Sequence, residues 1–487
     1  MKRKFIWNLL LVVILNLLIK PFYILGIDAE VLNQVGPEAY GNYFALINFS
    51  FLLNILLDLG ITNYNVKNIA QHHHLIDKYF SGIITLRVAL VGCYMFATFL
   101  IAYFIGYNST EFQLLFLLAV NQSIVAFILY LRSNLAGLHL FVQDSLISVL
   151  DRLLLIIICG VLLWGGITQN RFQIEWFVYA QTAAYLFTLC ICFILVIRQT
   201  TCFKFRWNFN FAIVILKQSF PYAMLILLMT IYYRIDSIML ERMMGDTQAG
   251  IYAQAYRFFE ASNMIAYLFA ALLLPIFSKM LKNRDSVHEL VYFSFKILMG
   301  FGFVLTVFAF IYASEIMAWK YDQLTAWGHM TLDDTQGVFR ILMICFLFVS
   351  ATYIYGTLLT ANGNLLHLNI IAAFGVVLNI ILNYVLIKSY KAEGAAIASL
   401  VTQGLTCLAQ IILCFYIFKF SFLSIFFRLI IFCFGLILVG FYIRIINDNI
   451  LIQWLVYFIF SFVWLLTTGL IKTSDFNLLR NNRISIK

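Results

Sequence analysis

The stretch PYAMLILLMTIYYRIDSIML (221–240), ERMMGDTQAG (241–250), IYAQAYRFFEASNMIAYLFAALLLPIFS (251–278) decides the fold. It reads as two long apolar helices joined by a turn. Pro221 suits the first turn of a helix and opens the first one; Pro275 cannot continue a helix and ends the second. Met244 to Gly250 is the turn. On a wheel of about 100° per residue, Tyr252, Tyr256, Glu260, Asn263 and Tyr267 form one stripe, with Arg257 beside Glu260. Tyr222, Thr230, Tyr233 and Ser237 share a face of the first helix, bordered by Arg234. The other sides are apolar. A charge at a bilayer centre costs about 2.5–3.5 kcal/mol, so both stripes face a protein interior or a wet cavity. The plainer reading is a Tyr/Asn hydrogen-bond seam with an Arg257–Glu260 pair that serves helix packing alone.

The rest of the chain has the same character. Of 487 residues, 63% are hydrophobic and 11% charged, and the mean hydropathy is +0.94. A soluble protein of this length carries far more charge. Apolar runs of helical length, without short alternating segments, exclude a β-barrel and point to an all-α polytopic membrane protein. The net charge of +10 does not by itself indicate a nucleic-acid partner, and none is expected. Lys2-Arg3-Lys4 precedes an apolar run that passes Pro21 without a small-residue cleavage site, so it reads as the first membrane helix. Eight of the nine cysteines lie in apolar runs, with Cys202 just outside one, and their spacing suits no metal. His72-His73-His74 point about 100° apart on a helix, which is no ligand set either.

A span of about 20 residues per helix divides the chain into about fourteen helices. They are placed at roughly 6–32, 40–60, 80–105, 112–132, 144–164, 177–197, 221–240, 251–274, 293–314, 338–360, 367–388, 394–418, 426–446 and 451–471. The longest outer loop is Glu315 to Gly337. Cations gather in alternate loops, notably at Lys2–Lys4, Arg198–Lys217, Lys279–Arg284 and the tail to Lys487, which puts both termini in the cytoplasm. Ile27-Asp28, Leu32, Gly36, Gly41 and Tyr43 repeat as Ile235-Asp236, Leu240, Gly245, Gly250 and Tyr252. Leu135-Ala136-Gly137 likewise echoes Thr360-Ala361-Asn362-Gly363. The expected organisation is an N-lobe (1–210) and a C-lobe (211–420), each of about six helices around a central cleft, then two further helices and a cytoplasmic tail (421–487), a layout that recurs in transporters.

Cations inside predicted spans are Lys20, Arg87, Arg152, Arg234, Arg257, Lys296 and Arg340; acids are Asp28, Asp58, Asp151, Asp236 and Glu260. Arg and Lys suit an anionic cargo such as a phosphate head group. Lys20, Arg234 and Arg257 are the expected ligands of such a cargo, and Tyr233, Tyr252, Tyr256 and Asn263 the polar lining. Arg87 and Lys296 read as snorkelling cations and Arg152 as a partner of an acid on a neighbouring helix. No GxxxxGK[ST] motif suggests direct use of ATP, and no catalytic constellation stands out, so an enzyme is not expected.

Three groups of residues resemble Wzx-type polysaccharide flippases of the MOP exporter superfamily. They are Pro221…Tyr233-Arg234-Ile235-Asp236…Gly250-Ile251-Tyr252…Pro275; Leu32…Gly36…Tyr40-Gly41-Asn42-Tyr43 with Asp58-Leu59-Gly60; and Ala361-Asn362-Gly363…Asn379-Ile380-Ile381-Leu382-Asn383…Gly394-Ala395-Ala396-Ile397-Ala398. The resemblance implies a fourteen-helix, two-lobed V that alternates between inward- and outward-open states in the bacterial cytoplasmic membrane. It implies flipping of an undecaprenyl-diphosphate-linked oligosaccharide for O-antigen, capsule or exopolysaccharide synthesis, in company with the polymerase and chain-length proteins of the pathway. It implies no cofactor but an ion gradient, H⁺ or Na⁺, with Asp28, Asp236 and Glu260 as candidate coupling carboxylates. On this reading, Arg234→Ala and Arg257→Ala lower transport without lowering the amount in the membrane.

Three rivals stay open. A MATE-type drug exporter favours an acidic, aromatic pocket, whereas the mid-span charge here leans positive. A lipid II flippase also has a basic cleft. A membrane polymerase or glycosyltransferase needs a sugar-donor site in a substantial loop, and Asp322, Asp333 and Asp334 of the longest loop form no evident set.

Overall fold

The computed structural model describes residues 15–62, 65, 69, 76–138, 140–165, 172–200, 209–321, 332–420, 423–446 and 448–470. These form helices and turns, with no strand among them. In chain order they are α1 (15–35, including a π-turn at Tyr23–Asp28), α2 (Pro37–Leu52), α3 (Ile55–Asp58), α4 (Ile76–Ile105), α5 (Ser109–Gly137), α6 (Phe141–Trp164), α7 (Ile174–Ile197) and α8 (Phe209–Met244). Then follow α9 (Asp246–Lys282), α10 (His288–Ile311), α11 (Ala313–Lys320), α12 (Leu332–Ala361), α13 (Leu365–Phe418), α14 (Leu423–Ile446) and α15 (Ile450–Thr467). Among the described residues, 11 helices are long and apolar enough to cross a membrane. His72–His74 lie outside the described residues, as does most of the loop after α11.

Both prolines of the deciding stretch fall inside helices. α8 begins at Phe209, twelve residues before Pro221, and α9 runs through Pro275 to Lys282. Proline removes one helical hydrogen bond, but in membrane helices neighbouring groups re-satisfy the freed carbonyl, so the soluble-protein stop signal fails here. The expected seven-residue turn shrinks to Gly245 alone, at φ 87°. The expected outer loop starts helical, because residues 313–320 form α11. α13 contains 54 residues, far more than the ~20 of one span. Lys391 breaks it with φ 51° and ψ −128°. The chain reverses there, since a Cβ on Gly394 would overlap the carbonyl of Leu386. The two arms match the separate helices expected at 367–388 and 394–418.

By packing, the chain divides into two compact units: Met1–Arg257 with Val376–Ala395, and Phe258–Gly375 with Ala396–Lys487. In the first, α2 packs on α8 and α5, α5 on α7, α6 on α7, and the π-turn on α6. In the second, α10 packs on α12 and α14, α14 on α15, and α11 on α12. Aromatic contacts tie α15 to α10: the Phe308 ring lies 5.5 Å from Trp454 and 4.8 Å from Phe458.

The glycine repeat has a structural meaning. Gly36 (φ 85°) and Gly245 (φ 87°) both break the chain in a conformation that L side chains avoid. Five residues on, Gly41 and Gly250 pack reciprocally. A Cβ on Gly41 would overlap the Asp246 carbonyl, and one on Gly250 the Pro37 carbonyl. The starts of α2 and α9 therefore meet backbone to backbone, as equivalent halves of the repeat. Gly41→Ala or Gly250→Ala forces these backbones apart, at a cost of about 1–3 kcal/mol or more. Thermal unfolding of the purified variants should show a clear fall in midpoint for each, while Gly92→Ala, in open space, should leave it unchanged.

One buried cation departs from its expected role. Arg87 does not snorkel; it is 1% exposed. It pairs with Asp58 and donates to Thr62 Oγ1 at 2.8 Å and to the Ala126 carbonyl at 2.9 Å, with Tyr130 stacked 4.9 Å away. A carboxylate on the neighbouring turn holds the guanidinium inside.

Candidate functional site

The site residues of the first unit lie on α1, α2, α6, α8, the start of α9 and the 376–395 part of α13. The π-turn of α1 follows Pro21 and ends at Asp28. Such turns re-aim side chains and recur at functional sites. Asp28 is 3% exposed, and Arg257 is 7% exposed. Arg257 Nε lies 2.9 Å from Asp28 Oδ2. The Tyr40 hydroxyl donates to Asp28 Oδ1 at 2.7 Å and accepts from Arg257 Nε at 2.8 Å. The guanidinium also lies 5.1 Å from the Phe44 ring. Tyr43, 5.5 Å from Tyr40 by ring centroids, accepts from Gln181 Nε2 at 2.8 Å. Arg257 is thus held in an ion pair that joins the two halves of the repeat. Its position next to Glu260 in sequence does not reveal this pairing.

Arg234 is half-buried on α8. It donates to Asn48 Oδ1 at 3.0 Å and stacks 4.9 Å over Phe51. Tyr233, also half-buried, stacks on Tyr232 at 4.6 Å.

Two residues further on, Asp236 is 2% exposed. Its Oδ1 accepts from Asn383 Nδ2 at 2.6 Å and its Oδ2 from the Tyr252 hydroxyl at 3.2 Å. Asn383 Nδ2 also donates to Asn379 Oδ1 at 3.0 Å. Asn379 and Asn383 are both fully buried. Asn383 Oδ1 and Asn379 Nδ2 have no hydrogen-bond partner among the described residues. A carboxylate and two amides therefore converge in one buried place. Asn379 and Asn383 were not singled out as site residues, although their i, i+4 spacing puts them on one helix face.

The polar stripe of α9 is divided. Tyr252 (2% exposed) and Tyr256 (8%) stack at 5.8 Å in the first unit, with Tyr256 edge-on to Phe44 at 5.6 Å. Glu260 and Asn263 are half-buried in the second unit, and Tyr267 is exposed there.

Lys20 is half-buried on α1. Asn16 Nδ2 donates to Ser148 Oγ at 3.2 Å and so fixes α1 against α6. One turn further along each helix stand Lys20 and Arg152. Arg152 donates through Nη1 to the Tyr185 hydroxyl at 2.9 Å and lies 4.7 Å over the Tyr23 ring. Its partner is not an acid of a neighbouring helix: Asp151, at 3.8 Å from Nε, is its neighbour in sequence.

Residues 3–281, more than half of the chain, match the polysaccharide biosynthesis protein family. An uncharacterized membrane protein of Methanocaldococcus jannaschii is 26% identical over 385 residues, 76% of this chain and 88% of its own length. Among solved structures, the lipid II flippase MurJ in an inward closed conformation is similar at a TM-score of 0.72, with 17% identity over 94% of this chain and 97% of its own. A multidrug resistance MATE transporter of the MOP superfamily, in an inward-facing conformation, is similar at a TM-score of 0.58, with 14% identity over 81% of this chain and 93% of its own. The residues matched, more than half of the chain, show the family: the chain belongs to the polysaccharide biosynthesis protein family.

Proposed function

We propose that this multi-pass membrane protein flips an undecaprenyl-diphosphate-linked oligosaccharide from the inner to the outer leaflet of the cytoplasmic membrane, for surface polysaccharide synthesis. The observation that carries the reading is the set of ionisable side chains inside the apolar first unit: Lys20, Arg152, Arg234 and the Asp28–Arg257 pair. Such groups are expensive at membrane depth and mark substrate and ion pathways. Cations and tyrosines suit a diphosphate joined to sugars. Alternating access is driven by H⁺ or Na⁺ acting at Asp236, a buried carboxylate that accepts from the Asn383 amide, itself bonded to Asn379. Both termini face the cytoplasm, and the polymerase and chain-length proteins of the pathway act next.

The test uses cells that lack the gene but keep the rest of the pathway. Complete lipid-linked units should accumulate on the cytoplasmic face, and restoring the gene should relieve this. Units that reach the outer face but stay unpolymerised would point to a polymerase instead. Normal export of units would point to drug efflux.

A further inference from the structure

A further charged cluster ties the start of α5 to the end of α8. Asn108 and Glu111 form a capping box: the Asn108 side chain accepts from the Glu111 amide at 2.9 Å, and Glu111 Oε2 accepts from the Asn108 amide. This fixes Glu111 and leaves its other oxygen for α8. Glu111 Oε1 accepts from Arg242 Nη2 at 3.3 Å. The Arg242 guanidinium lies 3.7 Å over the Tyr107 ring, which packs 5.5 Å from the Phe49 ring of α2. Arg242 Nε also lies 2.9 Å from Glu241 Oε2. One guanidinium thus serves two carboxylates, one on its own helix and one across the contact.

Acids outnumber the cation. Glu241 is 7% exposed and Glu111 8%. The other charged groups that face the cluster are Asp246 at the start of α9 and Glu38 on α2, both acidic. Burial and like charges favour a proton on a carboxyl, and Glu241 is the most deeply buried of these acids. It lies just past the expected span at 221–240, and burial pushes its carboxyl up to about 7. Arg242 keeps 29% of its side chain exposed, so protons reach the cluster from solvent. When Glu241 is protonated, Arg242 serves Glu111 alone. When Glu241 ionises, it competes for Arg242 and repels Glu111. The contribution of Glu241 to the contact is therefore fully present below its ordinary value of 4.5 and is lost as the pH rises through about 7.

We propose that Glu241, Arg242 and Glu111 form a pH-sensitive latch between α8 and α5, closed when Glu241 is protonated and loosened when it ionises. On the proposed topology these helix ends face the outer side, so the part the latch plays in transport rests on the proposed function. The latch itself does not.

The test is hydrogen–deuterium exchange of the full-length protein in lipid nanodiscs at pH 6 and pH 8, corrected for the intrinsic pH dependence of amide exchange. Protection over 105–112 and 238–245 reports the latch. In the wild type it should fall about tenfold from pH 6 to pH 8, the change in closing equilibrium for a carboxyl raised from 4.5 to about 7. Glu241→Gln should stay protected at both pH values, and Arg242→Gln should be poorly protected at both. Equal wild-type protection at the two pH values overturns the latch, as does a fall in Glu241→Gln as large as that of the wild type. Should Arg242→Gln fail to fold, the comparison of wild type with Glu241→Gln decides. Flipping that loses its pH dependence in Glu241→Gln supports a place for the latch in transport, and flipping with the wild-type pH dependence in that variant overturns that place. No flipping by a wild type whose latch responds to pH counts against the proposed function and leaves the latch standing.

Discussion

Arg257→Ala is expected to lose folded protein as well as transport. The guanidinium and the Asp28 carboxylate are buried together, with Tyr40 bonded to both. Removing one partner leaves an uncompensated buried charge, at a cost of about 3–5 kcal/mol. That is a large part of the 5–15 kcal/mol that ordinarily holds a domain together, roughly. The amount in the membrane and the unfolding midpoint should both fall. Combining Asp28→Asn with Arg257→Met should restore much of the amount, because a neutral pair of similar volume carries no desolvation penalty. Arg234→Ala should behave differently. Its side chain is half-buried and bonded to the neutral Asn48, so transport should fall while the amount stays near normal. An Arg257→Ala variant that is stable and abundant would show that the pair does not hold the two repeat halves together.

Asp236→Asn is expected to uncouple transport. The side chain keeps its size and can still bond Tyr252 and Asn383, so folding should survive. What disappears is the charge that a cation or proton neutralises. Gradient-driven transport should drop by about a hundredfold, the rate equivalent of about 2.7 kcal/mol, the size of one charged interaction. Downhill exchange of substrate should persist. The checks are transport with and without an imposed H⁺ or Na⁺ gradient. A variant that still responds fully to the gradient would move coupling away from Asp236, with Asp28 and Glu260 the remaining candidates.

Much of the architecture was legible because it depends on local composition. Apolar length marked the helices, and the five-residue glycine spacing marked the repeat before its backbone contact was visible. The errors have specific causes. Pro221 and Pro275 were read by the rules of water-soluble helices, whereas in a membrane helix neighbours repair the broken hydrogen bond. Arg257 was expected to hold an anionic cargo, with a pairing to Glu260 as the plainer reading; its bond to Asp28 on α1 lies beyond the reach of any periodicity argument. Arg87 was read as snorkelling because nothing in its own helix hints that Asp58 sits opposite. Arg152 was read as the partner of an acid on a neighbouring helix, whereas the groups that reach it from other helices are Tyr185 and Tyr23. Asn379 and Asn383 stood inside a quoted motif, yet only the structure shows them at Asp236.

The central claim is that this chain moves a lipid diphosphate-linked oligosaccharide between leaflets. The most direct measurement reconstitutes the purified protein into vesicles that carry an undecaprenyl-diphosphate-linked oligosaccharide in one leaflet only. A membrane-impermeant lectin or glycosidase then reports which leaflet holds the sugar. Sugar should appear in the opposite leaflet with the wild-type protein, faster under an imposed ion gradient, and slowly with Asp236→Asn. Sugar that stays in its original leaflet at the rate of protein-free vesicles, under either gradient, would contradict the account.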